Sequence, residues 1–95
     1  KMGSRFPMLK EMVQERRSKY ISEHPDPNLW DTYSKEKLLL EAAEEIADAW
    51  QYLEQYLKRD IDGSVYTKFR MDDAYAGLRA LEAAYDSLWR LSCTS

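Results

Sequence analysis

One cysteine, one histidine and three glycines are all that this 95-residue chain offers to several familiar kinds of chemistry. Cys93 stands alone, so no disulfide framework within the chain and no cysteine-based zinc site can form, which is consistent with a reducing, intracellular setting. His24 is the only imidazole and lies between helical stretches, where it reads as a surface group rather than a ligand. A His-Asp-Ser relay would depend on that one residue, and the Glu-x-x-His spacing of a di-iron bundle is absent. Gly3, Gly63 and Gly77 belong to no Walker or dinucleotide pattern, so any phosphate must be bound by another device. No apolar run approaches the roughly 20 residues that span a bilayer, and the first residues lack a signal-peptide core, which predicts a soluble, cytoplasmic protein with no membrane partner. Lys1-Met2-Gly3-Ser4 reads as carrying residues left over from cloning and is given no functional weight.

An excess of positive charge is missing too. A net charge of −3 and a pI near 5.1 argue against a nucleic-acid partner, because phosphate backbones need a concentrated Lys/Arg surface. Lys10, Arg16, Arg17 and Lys19 do cluster, but Glu11 and Glu15 are interleaved with them, the pattern of a solvated helix face.

What is abundant is aromatic surface: three Trp, seven Tyr and two Phe. The length fits one small domain, 1–95, burying on the order of 60–65% of its unfolded surface if it folds alone. Three helices do not hide so many rings comfortably, so a homodimer or homotetramer is expected to enclose them.

Apolar spacing of three and four residues predicts an all-α fold of three principal helices, a bundle completed by homo-oligomerisation. The first runs from about Pro7 to Ile21 with an intermittent stripe of Met8, Met12 or Val13, and Tyr20, and ends before His24-Pro25-Asp26-Pro27-Asn28, where two prolines block continuation. Ser34 is a good N-cap for a second helix from Lys35 to about Arg59, whose core stripe is Leu39, Ala42, Ala43, Ile46, Trp50, Leu53 and Leu57. Asp60-Ile61-Asp62-Gly63 reads as a capped turn, since the twelve-residue ligand set of a calcium loop is absent. The third helix covers about Thr67 to Leu91 and is expected to bury Met71, Ala74, Tyr75, Leu78, Leu81, Tyr85, Leu88 and Trp89.

The second helix carries the most specific chemistry. At roughly 100° per residue, Glu41, Glu45 and Asp48 fall within about 60° of one another, with Glu44 beside them and Tyr52 continuing the row. Four i,i+3 and i,i+4 like-charge contacts each oppose the helix by roughly 0.2–0.5 kcal/mol, about 1–2 kcal/mol together. No Lys or Arg lies between Lys37 and Lys58 to offset them locally. Positive charge is therefore expected from outside the helix, and hard oxygen ligands on a chain poor in His and Cys suit Mg²⁺, with Mn²⁺ as the alternative. Glu41, Glu44, Glu45 and Asp48 are the candidate metal ligands, and a carboxylate not engaged by the ion, Glu41 or Glu44, is the candidate for orienting a water nucleophile.

Glu44-Glu45-Ile46-Ala47-Asp48-Ala49-Trp50-Gln51-Tyr52-Leu53 resembles the Glu-x-x-Asp helix of the MazG-like all-α nucleotide pyrophosphohydrolases. The resemblance implies a small helical protein, dimeric or tetrameric, that uses Mg²⁺ to hydrolyse a nucleoside triphosphate to monophosphate and pyrophosphate. Glu45 and Asp48 match the second half of the family's metal motif. The first half, Glu-x-x-Glu on a preceding helix, has no clean counterpart, because Glu11 and Glu15 differ in spacing. Glu41-x-x-Glu44 has the spacing but shares the helix, so either the site is condensed into one segment or a neighbouring helix, from another subunit, completes it.

Several residues carry two readings. Lys37, one turn before Glu41, meets a substrate phosphate or pairs with Glu41, and Lys68 and Arg70 pose the same choice at the start of the third helix. Asp72 and Asp73 complement the helix dipole there or add ligands. Trp30, Tyr33, Tyr52 and Tyr56 offer a ring to a nucleobase or belong to core and interface. The competing function is a non-catalytic helical interaction module, in which the acidic row pairs with cations of another chain.

Overall fold

A computed structural model describes residues 6–24, 29–59 and 66–94. Among them the secondary structure is helical, with no strand, as the periodicity predicts. The expected proline turn at 25–28 and the capped turn at 60–63 lie outside the described residues. By their internal contacts the residues fall into two units, Lys1–Tyr33 and Ser34–Ser95.

The first unit holds α1, Leu9–Glu23, and a short 3-10 turn, Leu29–Thr32. Helix α1 starts two residues later than the sequence suggested, because Glu11 reaches back to accept the Met8 N–H through Oε1 at 3.2 Å and so fixes the first turn there. It also runs two residues further. His24 ends it by donating twice to the Tyr20 carbonyl, through its backbone N–H at 3.0 Å and through Nδ1 at 2.9 Å. A carbonyl can only accept, so this hydrogen bond places a proton on Nδ1. The His24 ring stacks on Tyr20 with centroids 4.0 Å apart, and Tyr20 also stacks with Trp30 at 4.6 Å. His24 is thus a half-buried cap, not the surface group expected from its position. No residue of α1 is buried, in keeping with its sparse apolar stripe.

The second unit is a helical hairpin of α2, Lys35–Arg59, and α3, Thr67–Thr94. Ser34 starts α2 as predicted: its Oγ accepts the Lys37 N–H at 3.1 Å and its carbonyl accepts the Leu38 N–H at 3.0 Å. All seven residues of the predicted α2 stripe are half-buried, joined by Ala49. Against them α3 presents Met71, Ala74, Gly77, Leu78, Leu81 and Leu88, of which Ala74 and Leu78 are only 6% and 7% exposed. Gly77 sets the closest approach, since a Cβ built there would lie 3.2 Å from Leu53 Cδ1.

Three expected core residues of α3 are corrected. Tyr75, Tyr85 and Trp89 are exposed, because a single facing helix covers a narrower stripe than α3 carries. Thr67 and Arg70 are half-buried instead, linked by a hydrogen bond from Arg70 Nη2 to Thr67 Oγ1 at 3.4 Å. The helix extends to Thr94, past the expected end at Leu91. No helix among the described residues is long and apolar enough to cross a membrane.

Candidate functional site: the acidic face of α2

The stripe that packs on α3 decides where the carboxylates go. Leu39, Ala43, Ile46, Trp50, Leu53 and Leu57 turn one side of α2 to its neighbour, so Glu41, Glu44, Glu45 and Asp48, roughly 160° away around the axis, take the opposite side. All four are exposed, and Tyr52 continues the row at 77% exposure. Glu41 alone has a salt bridge, to Lys37 Nζ at 3.7 Å, in which both side chains are about half exposed (50% and 48%). Of the two readings of Lys37, pairing with Glu41 is the one present. At that exposure it contributes no more than a few tenths of a kcal/mol. Among the described residues Glu44, Glu45 and Asp48 form no salt bridge.

The donor set is chemically suited to a hard divalent cation, being oxygen throughout. Its convergence falls short: among the described residues, no three His, Cys, Asp or Glu side chains stand close enough to hold an ion. Four exposed carboxylates spaced along one helix keep several rotamers open to them, and mutual repulsion favours those that spread the charges.

The candidate substrate-binding residues of α3 lie elsewhere along the hairpin. The contact between Gly77 and Leu53 fixes an antiparallel register that puts Lys68, Arg70 and Asp73 level with the C-terminal end of α2, roughly 15–20 Å along the axis from Asp48. Lys68 Nζ pairs with Asp72 Oδ2 at 3.9 Å, and Arg70 is committed to Thr67. Asp72 and Asp73 sit beyond the first turn of α3, which has no acidic residue, so dipole complementation does not account for them. Asp73 is exposed. One chain therefore brings Lys37, Glu41, Glu44, Glu45, Asp48 and Tyr52 onto one face and leaves Lys68, Arg70 and Asp73 apart.

Beside the acidic row, Leu38 and Tyr56 are exposed along one edge of α2. The row is therefore bordered by apolar surface. Fold and face together define a helical-hairpin protein with an acidic helix. Comparison with known proteins finds no matching family model, no similar curated protein and no similar solved structure.

Proposed function

We propose that the protein is a Mg²⁺-dependent nucleotide pyrophosphohydrolase, converting a nucleoside triphosphate to monophosphate and pyrophosphate as a homodimer or homotetramer. The observation that carries the reading is the exposed row Glu41, Glu44, Glu45 and Asp48 on one face of α2, with a single exposed cation, Lys37, paired into it. Glu45 and Asp48 hold the positions of the Glu-x-x-Asp pair in the MazG-like resemblance, and Mn²⁺ is the alternative ion. A bound magnesium would supply neutralisation of phosphate charge and a more acidic water. The chain's part is to present oxygen ligands, to orient water through Glu41 or Glu44, and to offer Tyr52 as a ring for stacking. Because no three carboxylates converge among the described residues, the reading requires the α2 side chains to rotate inward and another helix or subunit to add an oxygen ligand. The same helix or subunit would also bring phosphate-binding cations to the row, since Lys68 and Arg70 lie far along the hairpin. Incubation of the purified protein with a panel of nucleoside triphosphates tests the proposal. Pyrophosphate release that requires Mg²⁺ or Mn²⁺ supports it, and no turnover on any normal or modified nucleotide sinks it.

One observation favours a second reading. The same exposure and lack of convergence suit a non-catalytic module whose acidic face docks on the cations of another protein. Thermal stability at constant ionic strength separates the two. Selective binding of Mg²⁺ to the folded chain raises the melting temperature by mass action, whereas an interaction module gives the same value with or without the ion.

A further inference from the structure

Interleaved charges make α1 read as a solvated helix face, but the 3-10 turn Leu29–Thr32 changes what one side of it meets. At roughly 100° per residue, Met12, Val13, Arg16, Arg17 and Tyr20 share an arc of about 140°, and Glu11 and Glu15 fall outside it. Trp30 stands over that arc. Together these six residues line a cavity of about 390 Å³, within the range of roughly 300–1,000 Å³ that small-molecule sites occupy.

A ring stack holds Trp30 in place. His24 and Trp30 both lie nearly parallel to Tyr20, with interplanar angles of 16° and 22° and centroids 4.0 and 4.6 Å away. On a single face of Tyr20 they would overlap, so each takes one face. His24 is anchored to the Tyr20 carbonyl, and the Trp30 carbonyl accepts the Tyr33 N–H at 3.0 Å, which fixes both ends of the stack. The indole is the outermost ring, and Trp30 remains 46% exposed.

Charge at the rim has the opposite sign to that of the chain. Lys19 and Glu23, also at the border, pair at 4.0 Å and cancel. The Arg16 and Arg17 side chains form no salt bridge or hydrogen bond among the described residues, which leaves the rim at +2 on a chain whose net charge is −3. We propose that this cavity binds a small phosphorylated aromatic molecule of the mononucleotide kind, its phosphate held by Arg16 and Arg17 and its ring laid on the open face of Trp30. Guanidinium groups suit phosphate because each can donate two parallel hydrogen bonds, and two of them match the charge of a dianion. A planar ring extends the stack at little entropic cost and covers Met12 and Val13. The inference is independent of the proposed hydrolysis, since every lining residue belongs to the first unit and none to the acidic row.

The test is a nuclear magnetic resonance titration of the ¹⁵N-labelled full chain with adenosine monophosphate, in a chelating buffer so that no dication links phosphate to α2. The Trp30 indole signal and the amides around Arg16 and Arg17 should shift together, saturating with a dissociation constant of about 1 mM or tighter, while the indoles of Trp50 and Trp89 stay in place. Adenosine and inorganic phosphate, each offering half of the ligand, should bind at least about tenfold more weakly. Arg16→Gln and Arg17→Gln should each weaken binding about tenfold, and Trp30→Ala by a similar factor. Both arginines are exposed and glutamine is a good helix former, so these two variants decide if Trp30→Ala perturbs the turn. Asp48→Asn should leave the affinity unchanged. No shift at Trp30, or binding that survives Arg16→Gln and Arg17→Gln combined, overturns the inference. So does tighter binding of a phosphotyrosine peptide, or of a single-stranded oligonucleotide with affinity that grows with its length.

Discussion

At the scale of single residues, Ser34 and the α2 carboxylates show how local charge and hydrogen bonding act on the same helix from opposite directions. Ser34 Oγ satisfies the Lys37 amide, one of the donors left unpaired at a helix start. Ser34→Ala should lower stability by about 1 kcal/mol, read from urea denaturation of the full chain. The carboxylates do the reverse. Neutralising Glu45→Gln or Asp48→Asn removes like-charge neighbours and should stabilise the metal-free protein by a few tenths of a kcal/mol each. Added salt should shrink that gain, because exposed charges are screened within about 10 Å at 0.1 M. Under the hydrolase proposal the same two variants lose the Mg²⁺-dependent rise in melting temperature, so the sign of the effect reverses when the ion is added. His24 illustrates a role that spacing does not reveal. Its place before Pro25 suggested a surface group, yet it closes α1 with two bonds to one carbonyl and a ring stack. The signal was the aromatic four residues earlier, Tyr20, at the separation that brings two side chains together on one helix face.

At the scale of elements, α2 was the most legible and α3 the least. The bounds Lys35–Arg59 follow from a strong N-cap and an unbroken stripe, and the structure reproduces both. In α3 the spacing correctly marked Met71, Ala74, Leu78, Leu81 and Leu88, but it could not distinguish rings that α2 covers from rings that it leaves open. Tyr75, Tyr85 and Trp89 satisfy the helical period and still face outward, because coverage depends on how many neighbours a helix has. Gly77 was equally silent, since a glycine in a helix reads as a weakness until its close approach to Leu53 is seen. Two substitutions probe this packing. Leu78→Ala should cost about 2–4 kcal/mol, more than truncation at any half-exposed leucine of the hairpin, and chemical denaturation measures it. Gly77→Ala should be near neutral: the helix gains about 1 kcal/mol in propensity, while the tip of Leu53 must give way by a few tenths of an ångström.

At the scale of the whole molecule, the all-α architecture could be read from the sequence, whereas the assembly and the site could not be read to the same depth. The acidic row was visible as a row because four positions on one helix fix their own relative placement. What completes it was not visible, because a ligand from another helix or copy is a tertiary fact that no spacing within α2 encodes. The place of Lys68, Arg70 and Asp73 relative to the row is likewise a tertiary fact: the hairpin register carries the start of α3 level with the C-terminal end of α2.

The proposed hydrolysis depends on the α2 carboxylates gathering around a dication. Titration of the ¹⁵N-labelled full chain with sub-stoichiometric Mn²⁺ reads this directly, because the paramagnetic ion broadens amide signals within reach of its site. Ion binding at the row gives selective broadening centred on Glu41, Glu44, Glu45 and Asp48, reversed by excess Mg²⁺ and absent in Asp48→Asn. Uniform, weak broadening spread over every exposed carboxylate, with Glu82 and Asp86 affected as much as Glu45, would contradict it.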